Sequence, residues 1–280
     1  MSRDIWNPQQ YRAYSSHRAR PFYELLARVD IDNPAYVVDL GCGPGERTAE
    51  LAARWPDAVV EGVDSSEQMI AEARRLPLDH LQPPPGGEAP GGSLAFSVGD
   101  IAAWAPSRPV DVIFSNAAFQ WVPGHQDMLP RWVAALAPGG RLAFSMPGNF
   151  DQDSHRILRE LCETPRWRSR LAKVNRHNIV SEPAEYFRLL SDLGCEVDAW
   201  ETTYLQILHG DDPVLEWMKG TALRPAFDVL SREEEREEFV AELSALLRKA
   251  YPPGPHGTIF PFRRIFVVAS VPPAHEEPAR

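Results

Sequence analysis

The chain has 280 residues, 44% of them hydrophobic and 24% charged, with a formal net charge of −10. These values are typical of a globular enzyme and argue against nucleic acid or an anionic membrane surface as a partner, because both attract clustered Lys and Arg. The sequence shows no apolar run long enough to span a membrane, no signal segment and three widely spaced cysteines, so we expect a cytoplasmic protein without a metal site.

The first predicted strand leads into a glycine-rich loop, which is the most informative feature of the sequence. The apolar run at 36–40 predicts a buried strand with an acid near its end, Asp39. The loop after it has glycine at every second position, namely Gly41, Gly43 and Gly45. A helix is predicted from there to about Arg54, then a second strand at 59–63, which ends at another acid, Asp64. This order forms the front half of a nucleotide-binding α/β unit.

The glycine spacing distinguishes between nucleotide ligands. In a dinucleotide fingerprint a third glycine would stand at position 46, but Glu46 is there, and its carboxylate would repel a pyrophosphate. An acid before the loop favours a cationic ligand without phosphate. S-adenosylmethionine fits, because its ammonium and sulfonium groups are cationic and its ribose hydroxyls can donate to Asp64. An NAD(P) enzyme or a binding module on the same scaffold is the less favoured alternative.

Polar side chains also follow the third and fourth predicted strands. The runs 94–98 and 110–114 predict these strands, which lead to Asp100 and to Asn116. Because ligands bind at the carboxyl ends of parallel strands, we expect Asp100 to accept from the adenine amine and Ile101 to pack on the ring. The expected cofactor site comprises Asp39, Gly41, Gly43, Gly45, Asp64, Ser65, Asp100, Ile101 and Asn116.

The remaining elements continue the alternation and then become mostly helical. Ser65 and Gln68 have the spacing of a capping box, so a helix is expected to begin there. A Pro/Gly loop at 83–92 can form neither helix nor strand. Later predicted elements are a helix at 129–136, a strand at 141–145, helices near 153–163, 182–192, 212–220 and 231–251, and strands at 195–204 and 265–270.

These elements predict an α/β fold with a Rossmann-like, seven-stranded, mostly parallel sheet and a C-terminal antiparallel hairpin. The pattern Asp-x-Gly-x-Gly-x-Gly at 39–45 resembles motif I of the class I methyltransferases. We therefore expect one methyltransferase domain over 1–280, with an N-terminal arm at 1–30 and a cofactor-binding core at 31–149. Insertions at 150–192 and 205–260 are expected to form a helical lid over the strand ends. The last long helix has Ser231 and Glu234 as a capping box, and its predicted buried stripe is Phe239, Leu243, Leu246, Leu247 and Ala250.

Further segments, in order along nearly the whole chain, carry a family resemblance. They are Trp6-Asn7-Pro8 with Tyr11, Arg18 with Arg20-Pro21, the glycine loop, the stretch 115–125 with Gln120-Trp121, Thr202-Thr203-Tyr204, Leu223-Arg224-Pro225, and the stretch 264–269. Together they resemble the trans-aconitate 2-methyltransferases. The resemblance implies methyl transfer from S-adenosylmethionine to a carboxylate of trans-aconitate, giving a monomethyl ester. Transfer to another small acid or metabolite is the alternative.

The implied reaction has no need of a general base, because a carboxylate with a pKa near 4 is already ionised at neutral pH. Catalysis is expected from alignment and desolvation, with Gln120 and Trp121 near the methyl group. The carboxylates that do not react need cationic anchors, for which the planar guanidinium is suited. The candidate substrate ligands are Arg18, Arg20, Tyr204, Arg224 and Arg264.

Two features bear on the alternatives. His125 is expected to be a surface residue, although an acceptor of high pKa would require a base such as His125 or Tyr204. The basic stretch 166–176 lies where the lid is expected and departs from the family pattern, so it bears on the choice of acid substrate.

Overall fold

The computed structural model describes residues 15–77, 91–174 and 180–274. Its strands are β1 (Tyr36–Leu40), β2 (Val59–Asp64), β3 (Ser93–Val98), β4 (Val110–Asn116), β5 (Leu136–Pro147), β6 (Glu196–Leu208) and β7 (Thr258–Ser270). They form one seven-stranded sheet in the order β3-β2-β1-β4-β5-β7-β6. The first five strands pair in parallel, whereas β7 is antiparallel to both β5 and β6. The predicted fold class is confirmed.

Helices alternate with the first strands and cluster in the second half of the chain. They are α1 (Ser15–Leu26), α2 (Glu46–Arg54), α3 (Glu67–Ala73), α4 (Leu129–Ala134), α5 (Asp153–Cys162), α6 (Arg168–Leu171), α7 (Pro183–Asp192), α8 (Pro213–Lys219), α9 (Arg224–Val229) and α10 (Glu233–Ala250). Short 3₁₀ turns lie at Phe119–Trp121, His125–Met128 and Ala172–Val174. Of the helices in the described ranges, none is both long and apolar enough to cross a membrane.

The largest differences from the predicted elements are in strand length. β5 begins at Leu136, which was predicted to be helical, and a register shift against β4 absorbs the Pro-Gly-Gly turn at 138–140. β7 begins at Thr258 instead of 265, because it pairs with β6 along its whole length. α1 was not predicted either, and it lies in the stretch expected to be an N-terminal arm.

The sheet is buried on both faces by helices and loops. Successive strand residues point to opposite faces, so Ile113 packs with Tyr186 of α7 while Val112 packs with Phe22 of α1. α7 falls within the range 150–192 that was expected to form a lid, yet Tyr186 and its neighbour Leu190 belong to the core of the sheet. That part of the lid prediction is therefore corrected.

The other inserted helices form an apolar cluster of their own at the end of the sheet. α5, α6, α8, α9 and α10 pack together around buried residues such as Leu161, Trp167, Trp217 and Phe239. Phe260, near the start of β7, belongs to the same cluster and joins it to the sheet. We refer to these five helices as the lid helices.

Two predicted helix caps are each wrong by one residue. Ser66, not Ser65, caps α3, because its hydroxyl accepts from the backbone N–H of Met69 at 3.1 Å. The capping box expected at Ser231 does not form, since α10 begins after Arg232 without a side-chain cap. In the predicted buried stripe of α10, Phe239, Leu243 and Leu247 are buried. Leu246 is exposed and Ala250 is partly buried.

The basic stretch lies on the outer side of the lid helices, against the acidic start of α10. Arg166 forms ion pairs with Glu238 and Glu242, and Arg170 pairs with Glu235. None of the described residues of this stretch lines a cavity at the strand ends. These ion pairs account for the local excess of Arg, because they connect the stretch around α6 to the carboxylates of α10.

The last two residues of the Pro/Gly loop, Gly91 and Gly92, lie at the opposite end of the strands. The first eight residues of the loop, 83–90, lie outside the described ranges. The backbone N–H of Gly91 donates to the carboxylate of Asp57, and that of Gly92 donates to the carbonyl of Pro56, both at 3.2 Å. These contacts hold the end of the loop beside the start of β2, away from the carboxyl ends.

The carboxylate of Glu24 attaches α1 to β6. Glu24 accepts hydrogen bonds from Trp200 Nε1 at 3.0 Å, from the Thr202 hydroxyl and from the Tyr204 hydroxyl at 2.5 Å. Burial opposes the ionisation of Glu24, but these hydrogen bonds outweigh it and lower its pKa. Tyr204 was predicted to bind substrate, but the structure buries it in this network, away from the cavities described below.

We expect Glu24→Ala to lower the free energy of unfolding by about 1–3 kcal/mol, because the buried Tyr204 hydroxyl loses its acceptor. Denaturant unfolding monitored by circular dichroism measures this change. Asp198→Ala is the control, since it removes an exposed ion pair between β6 and Arg28, and such pairs contribute at most about 1 kcal/mol. Equal losses in the two variants would contradict a special role for Glu24.

Candidate functional site

Two cavities lie at the carboxyl ends of the parallel strands and share part of their walls. The first, of about 400 Å³, is bounded by the loops that follow β1, β2, β3 and β4, and we call it the cofactor cleft. The second, of about 150 Å³, lies between the lid helices and strands β6 and β7, and we call it the lid cavity. Asn116, Ala117 and Trp121 line both, and we call these three residues the junction.

The glycine loop forms one wall of the cofactor cleft. Gly43 has a φ of 55°, and a Cβ built on it would meet no protein atom within 4 Å. Because Gly43 lines the cleft, this open space is available to a ligand. A Cβ on Gly41 would instead lie 2.1 Å from the Cβ of Ala118, so this glycine lets the loops after β1 and β4 pack together.

Asp64 connects the glycine loop to the start of α3. One carboxylate oxygen accepts from the backbone N–H of Gly43 and the other from that of Ser66, each at 2.9 Å. A carboxylate oxygen can accept more than one hydrogen bond, so Asp64 has the chemistry to accept from ligand hydroxyls as well. The neighbouring Ser65 also lines the cleft.

The loop after β3 supplies the far wall of the cleft. Asp100 and Ile101 both line it, as predicted from their place after a strand. Asp100 accepts from the backbone N–H of Ala102 at 2.8 Å, which fixes the turn, and Ile101 is buried. An exposed acid beside an apolar face matches the recognition expected for an adenine ring.

Two predicted cofactor residues lie beneath the cleft and do not line it. Asp39 is buried and accepts from the Thr48 hydroxyl at 2.7 Å, and burial, with the nearby charge of Asp64, raises its pKa to about 7. A Cβ on Gly45 would press against Ala73 and Phe96, so this glycine serves packing where α2 begins. Both residues therefore support the loop from below.

The junction contains a strained backbone. Ala117 has a φ of 60°, the only positive value of a non-glycine residue in the described ranges, and its N–H donates to the carbonyl of Ser145 at 2.8 Å. Gln120 donates from Nε2 to the carbonyl of Ala117 at 2.6 Å. Its Oε1 is buried and makes no hydrogen bond within the described part of the chain. Gln120 lines the lid cavity and Trp121 lines both cavities, and their expected place near the methyl group stays a prediction.

The two cavities differ in charge. The cleft is lined by Asp64 and Asp100 and, among the described residues, by no Lys, Arg or His. The lid cavity is largely apolar, has aromatic walls such as Trp217 and Phe260, and contains Arg159 and Arg264 but no carboxylate of a described residue. The cleft therefore favours a cationic ligand and the lid cavity an anionic one.

Arg264 is buried and ordered by its neighbours. Its Nη2 donates to Asn116 Oδ1 at 2.7 Å and to the Ser145 hydroxyl at 2.9 Å, and that hydroxyl donates to Asn116 Oδ1 at 2.6 Å. Both hydrogen bonds to Asn116 use the amide oxygen, so the Asn116 NH₂ group is the end left to face the cavities. Arg264 was predicted to anchor substrate, and it lines the lid cavity.

The other predicted substrate residues are not in the lining. Arg20 places its guanidinium 4.7 Å from the centre of the Tyr204 ring. Arg224 begins α9 next to Pro225 and Ala226, which line the lid cavity although Arg224 does not. The side chain of Arg18 lies outside the described part of the structure.

Sequence reasoning missed several polar residues of the lid cavity, among them His155 and Arg159 on α5. The signal was available, because positions 155, 158, 159 and 162 share one face of a helix at spacings of three and four. The sequence analysis predicted a helix here but assigned no site residue to it.

His125 is a correction of another kind. It is fully buried, not at the surface, and its Nε2 lies 2.6 Å from the Tyr186 hydroxyl. Burial lowers its pKa to about 4. It lines neither cavity, so it cannot act as a base there.

Comparisons with known proteins agree with this geometry. Residues 11–199 match a family described as a methyltransferase domain. A trans-aconitate 2-methyltransferase of Streptomyces avermitilis is 51% identical over 94% of this chain and 96% of its own length, and one of Rhodococcus jostii is 50% identical over 95% and 100%. The chain belongs to the trans-aconitate 2-methyltransferase family. It is an S-adenosylmethionine-dependent methyltransferase.

Solved structures share the fold of this trans-aconitate 2-methyltransferase family member at low sequence identity. The Bacillus subtilis protein YcgJ superposes with a TM-score of 0.57 at 14% identity, covering 91% of this chain and 99% of that one. Haemonchus contortus phosphoethanolamine N-methyltransferase 2, solved with S-adenosyl-L-methionine, gives 0.51 at 17% identity, covering 91% and 52%. The open space above Gly43 and the two acids of the cleft fit a cofactor with cationic centres.

We expect Gly43→Val to weaken S-adenosylmethionine binding by about tenfold or more, because the side chain fills space that the ligand needs. Calorimetric titration measures the affinity. Gly194→Val is the matched control: Gly194 also has a positive φ of 82° and open space around its Cβ, but lies after α7, away from the cleft. Both variants should lose similar stability, about 1–2 kcal/mol. Undiminished affinity in Gly43→Val would remove this glycine from the site.

Proposed function

We propose that this protein transfers a methyl group from S-adenosylmethionine to one carboxylate of trans-aconitate and forms the monomethyl ester. The observation that carries the proposal is the pair of adjoining cavities of opposite charge, one lined by Asp64 and Asp100 and the other by Arg159 and Arg264. The assignment of trans-aconitate as the acid is supported by the names of relatives that share about half of their residues with this chain.

The chemistry of this reaction needs no general base. When bound, S-adenosylmethionine supplies an electrophilic methyl group on a sulfonium. The carboxylate is already ionised and attacks without losing a proton. Because the displacement neutralises two opposite charges, water slows it, and apolar walls that exclude water favour it.

The residues of the chain position the acceptor. We infer that Trp121 and Gln120 bound the point of transfer and that the Asn116 NH₂ group orients the reacting carboxylate as a neutral donor. An arginine on the attacking oxygen would withdraw electron density, so the guanidinium groups are assigned to carboxylates that do not react. Arg264 is the predicted anchor best supported by its position in the lid cavity.

We also propose that the protein works in the cytoplasm. All three cysteines, Cys42, Cys162 and Cys195, are free and buried, which supports a reducing compartment. The overall acidity of the chain supports a small-molecule substrate over nucleic acid.

The direct test is product mass spectrometry after incubation with methyl-labelled S-adenosylmethionine and a panel of mono-, di- and tricarboxylic acids. The expected result is a monomethyl ester of trans-aconitate formed with the highest kcat/KM of the panel. A higher kcat/KM for another acid would move the assignment to that acid. Labelling of none of the acids would reject carboxyl transfer.

We expect kcat at saturating concentrations of both ligands to stay flat between about pH 6 and 8.5, because the nucleophile ionises near pH 4. Burial lowers the pKa of both His125 and His155 to about 4, so these rings stay neutral throughout this range. A pH–rate profile of the purified enzyme measures this. A rising limb centred on about pH 6.5–7 that disappears in His125→Asn would instead show base catalysis, whereas a limb that persists in this variant would be assigned to Asp39, whose pKa burial raises to about 7.

We expect Arg264→Ala to raise the KM for trans-aconitate by about thirtyfold or more, the cost of a lost charge-assisted pair at a desolvated site. Lysine at this position should recover only part, because it lacks the bidentate fork. Steady-state kinetics measure KM, and titration with S-adenosylmethionine should show little change.

Arg224→Ala is the comparison, because Arg224 lies outside the lining and its loss should raise KM less. Parent kinetics in Arg264→Ala would make that arginine structural.

A further inference from the structure

One wall of the lid cavity is formed by a single face of α5. The residues on this face are His155, Leu158, Arg159 and Cys162. Leu158 and Cys162 are apolar, so α5 presents two hydrogen-bonding groups to the cavity, and these are one helical turn apart.

The charge of Arg159 is poorly compensated by the protein. Its side chain is 17% exposed, and Nη1 donates to the carbonyl of Phe150. Its one carboxylate partner among the described residues is Asp151, whose side chain is 85% exposed. The distance from Arg159 Nη2 to Asp151 Oδ1 is 3.6 Å, which is longer than a hydrogen bond. A largely buried guanidinium in this state is stabilised by an anion that enters the cavity.

His155 is held in one tautomer. Its Nδ1 lies 3.3 Å from Asn149 Nδ2 and 3.2 Å from the Ser154 hydroxyl. An amide nitrogen can only donate, so Nδ1 accepts, and the neutral ring carries its proton on Nε2. Burial, assisted by the charge of Arg159, lowers the pKa of the ring to about 4 and keeps it neutral. The Nε2–H makes no hydrogen bond within the described part of the protein, which leaves it available to a ligand.

The position of α5 separates this pair from the reaction. His155 and Arg159 line the lid cavity but not the cofactor cleft, whereas the junction lines both. Arg264 reaches the same cavity from β7, on the sheet side. The two arginines therefore come from different walls, one on the lid and one on the sheet.

We propose that Arg159 and the Nε2–H of His155 form a carboxylate subsite on the lid wall, which binds a carboxylate of the substrate that does not react. This rests on the proposed function and deepens it. With the reacting carboxylate at the junction and Arg264 on the sheet wall, the lid wall takes a third carboxylate. The subsite thus sets the preference for polycarboxylic over monocarboxylic acids.

The test compares Arg159→Ala, Arg159→Lys, His155→Leu and His155→Gln with the parent enzyme. Arg159→Ala should raise the KM for trans-aconitate by about thirtyfold or more while changing that for the monocarboxylate crotonate by less than about threefold. Lysine should recover part of the loss. His155→Gln, which keeps a neutral donor near Nε2, should retain more affinity than His155→Leu.

Arg156→Ala is the matched control on the same helix. Its guanidinium pairs with Asp153 and Glu160 on the solvent side, so the variant loses the same charge without touching the cavity. Parent-like KM in Arg159→Ala, or an equal loss in Arg156→Ala, overturns the subsite. A loss that is the same for trans-aconitate and crotonate overturns it as well.

A binding measurement separates this proposal from the proposed function. Trans-aconitate, citrate and crotonate are titrated calorimetrically into parent and Arg159→Ala enzyme with S-adenosylhomocysteine present, so that no turnover occurs. Weaker binding of the tricarboxylates alone in the variant supports the subsite even if trans-aconitate proves not to be methylated. Unchanged tricarboxylate affinity rejects the subsite even if the parent methylates trans-aconitate.

Discussion

The separation of charge between two adjoining cavities is the constraint on which the rest of the site depends. A cationic cofactor and an anionic acceptor must meet, yet the residues that attract one would repel the other. The structure keeps Asp64 and Asp100 in the cleft and Arg159 and Arg264 in the lid cavity. The three residues that line both cavities, Asn116, Ala117 and Trp121, are neutral. In a chain of net charge −10, the attraction for an acid has to be local.

The fold produces this separation from simple parts. Parallel strands deliver the acids of the cleft to one edge of the sheet, because each strand ends where its ligand-binding loop begins. The antiparallel β7 runs the other way and brings Arg264 to the same edge beside Asn116. Gly41 permits the close contact of the loops after β1 and β4. Thus the cofactor side is built from strand ends, and the substrate side from a reversed strand and the lid helices.

The parts of the site that the sequence predicted are those governed by local geometry. A glycine loop after a strand, and polar residues such as Asp64 or Asn116 after the next strands, have a fixed place in such a sheet. The direction in which a side chain points is harder to predict from sequence, because it depends on how the strands pair and how the helices pack. Tyr204 was predicted to bind substrate, but its hydroxyl donates to Glu24. Arg159 lines the lid cavity from α5, and the sequence analysis did not predict this. His125 was misjudged for the same reason, since a loop residue stays exposed only if no helix covers it.

The separate origin of the two walls has an evolutionary consequence. Except at the junction, the residues that line the cleft and those that line the lid cavity are different, and eight of the latter lie on the inserted helices α5, α8 and α9. Substitutions along α5, α8 and α9 can reshape the acid-binding side while the glycine loop and Asp64 stay unchanged. The architecture thus allows related proteins to change the acid that they methylate by substituting cavity-facing residues of these helices, while the methyl donor stays the same. Asn116, Ala117 and Trp121 are expected to tolerate the fewest substitutions, because they line both cavities.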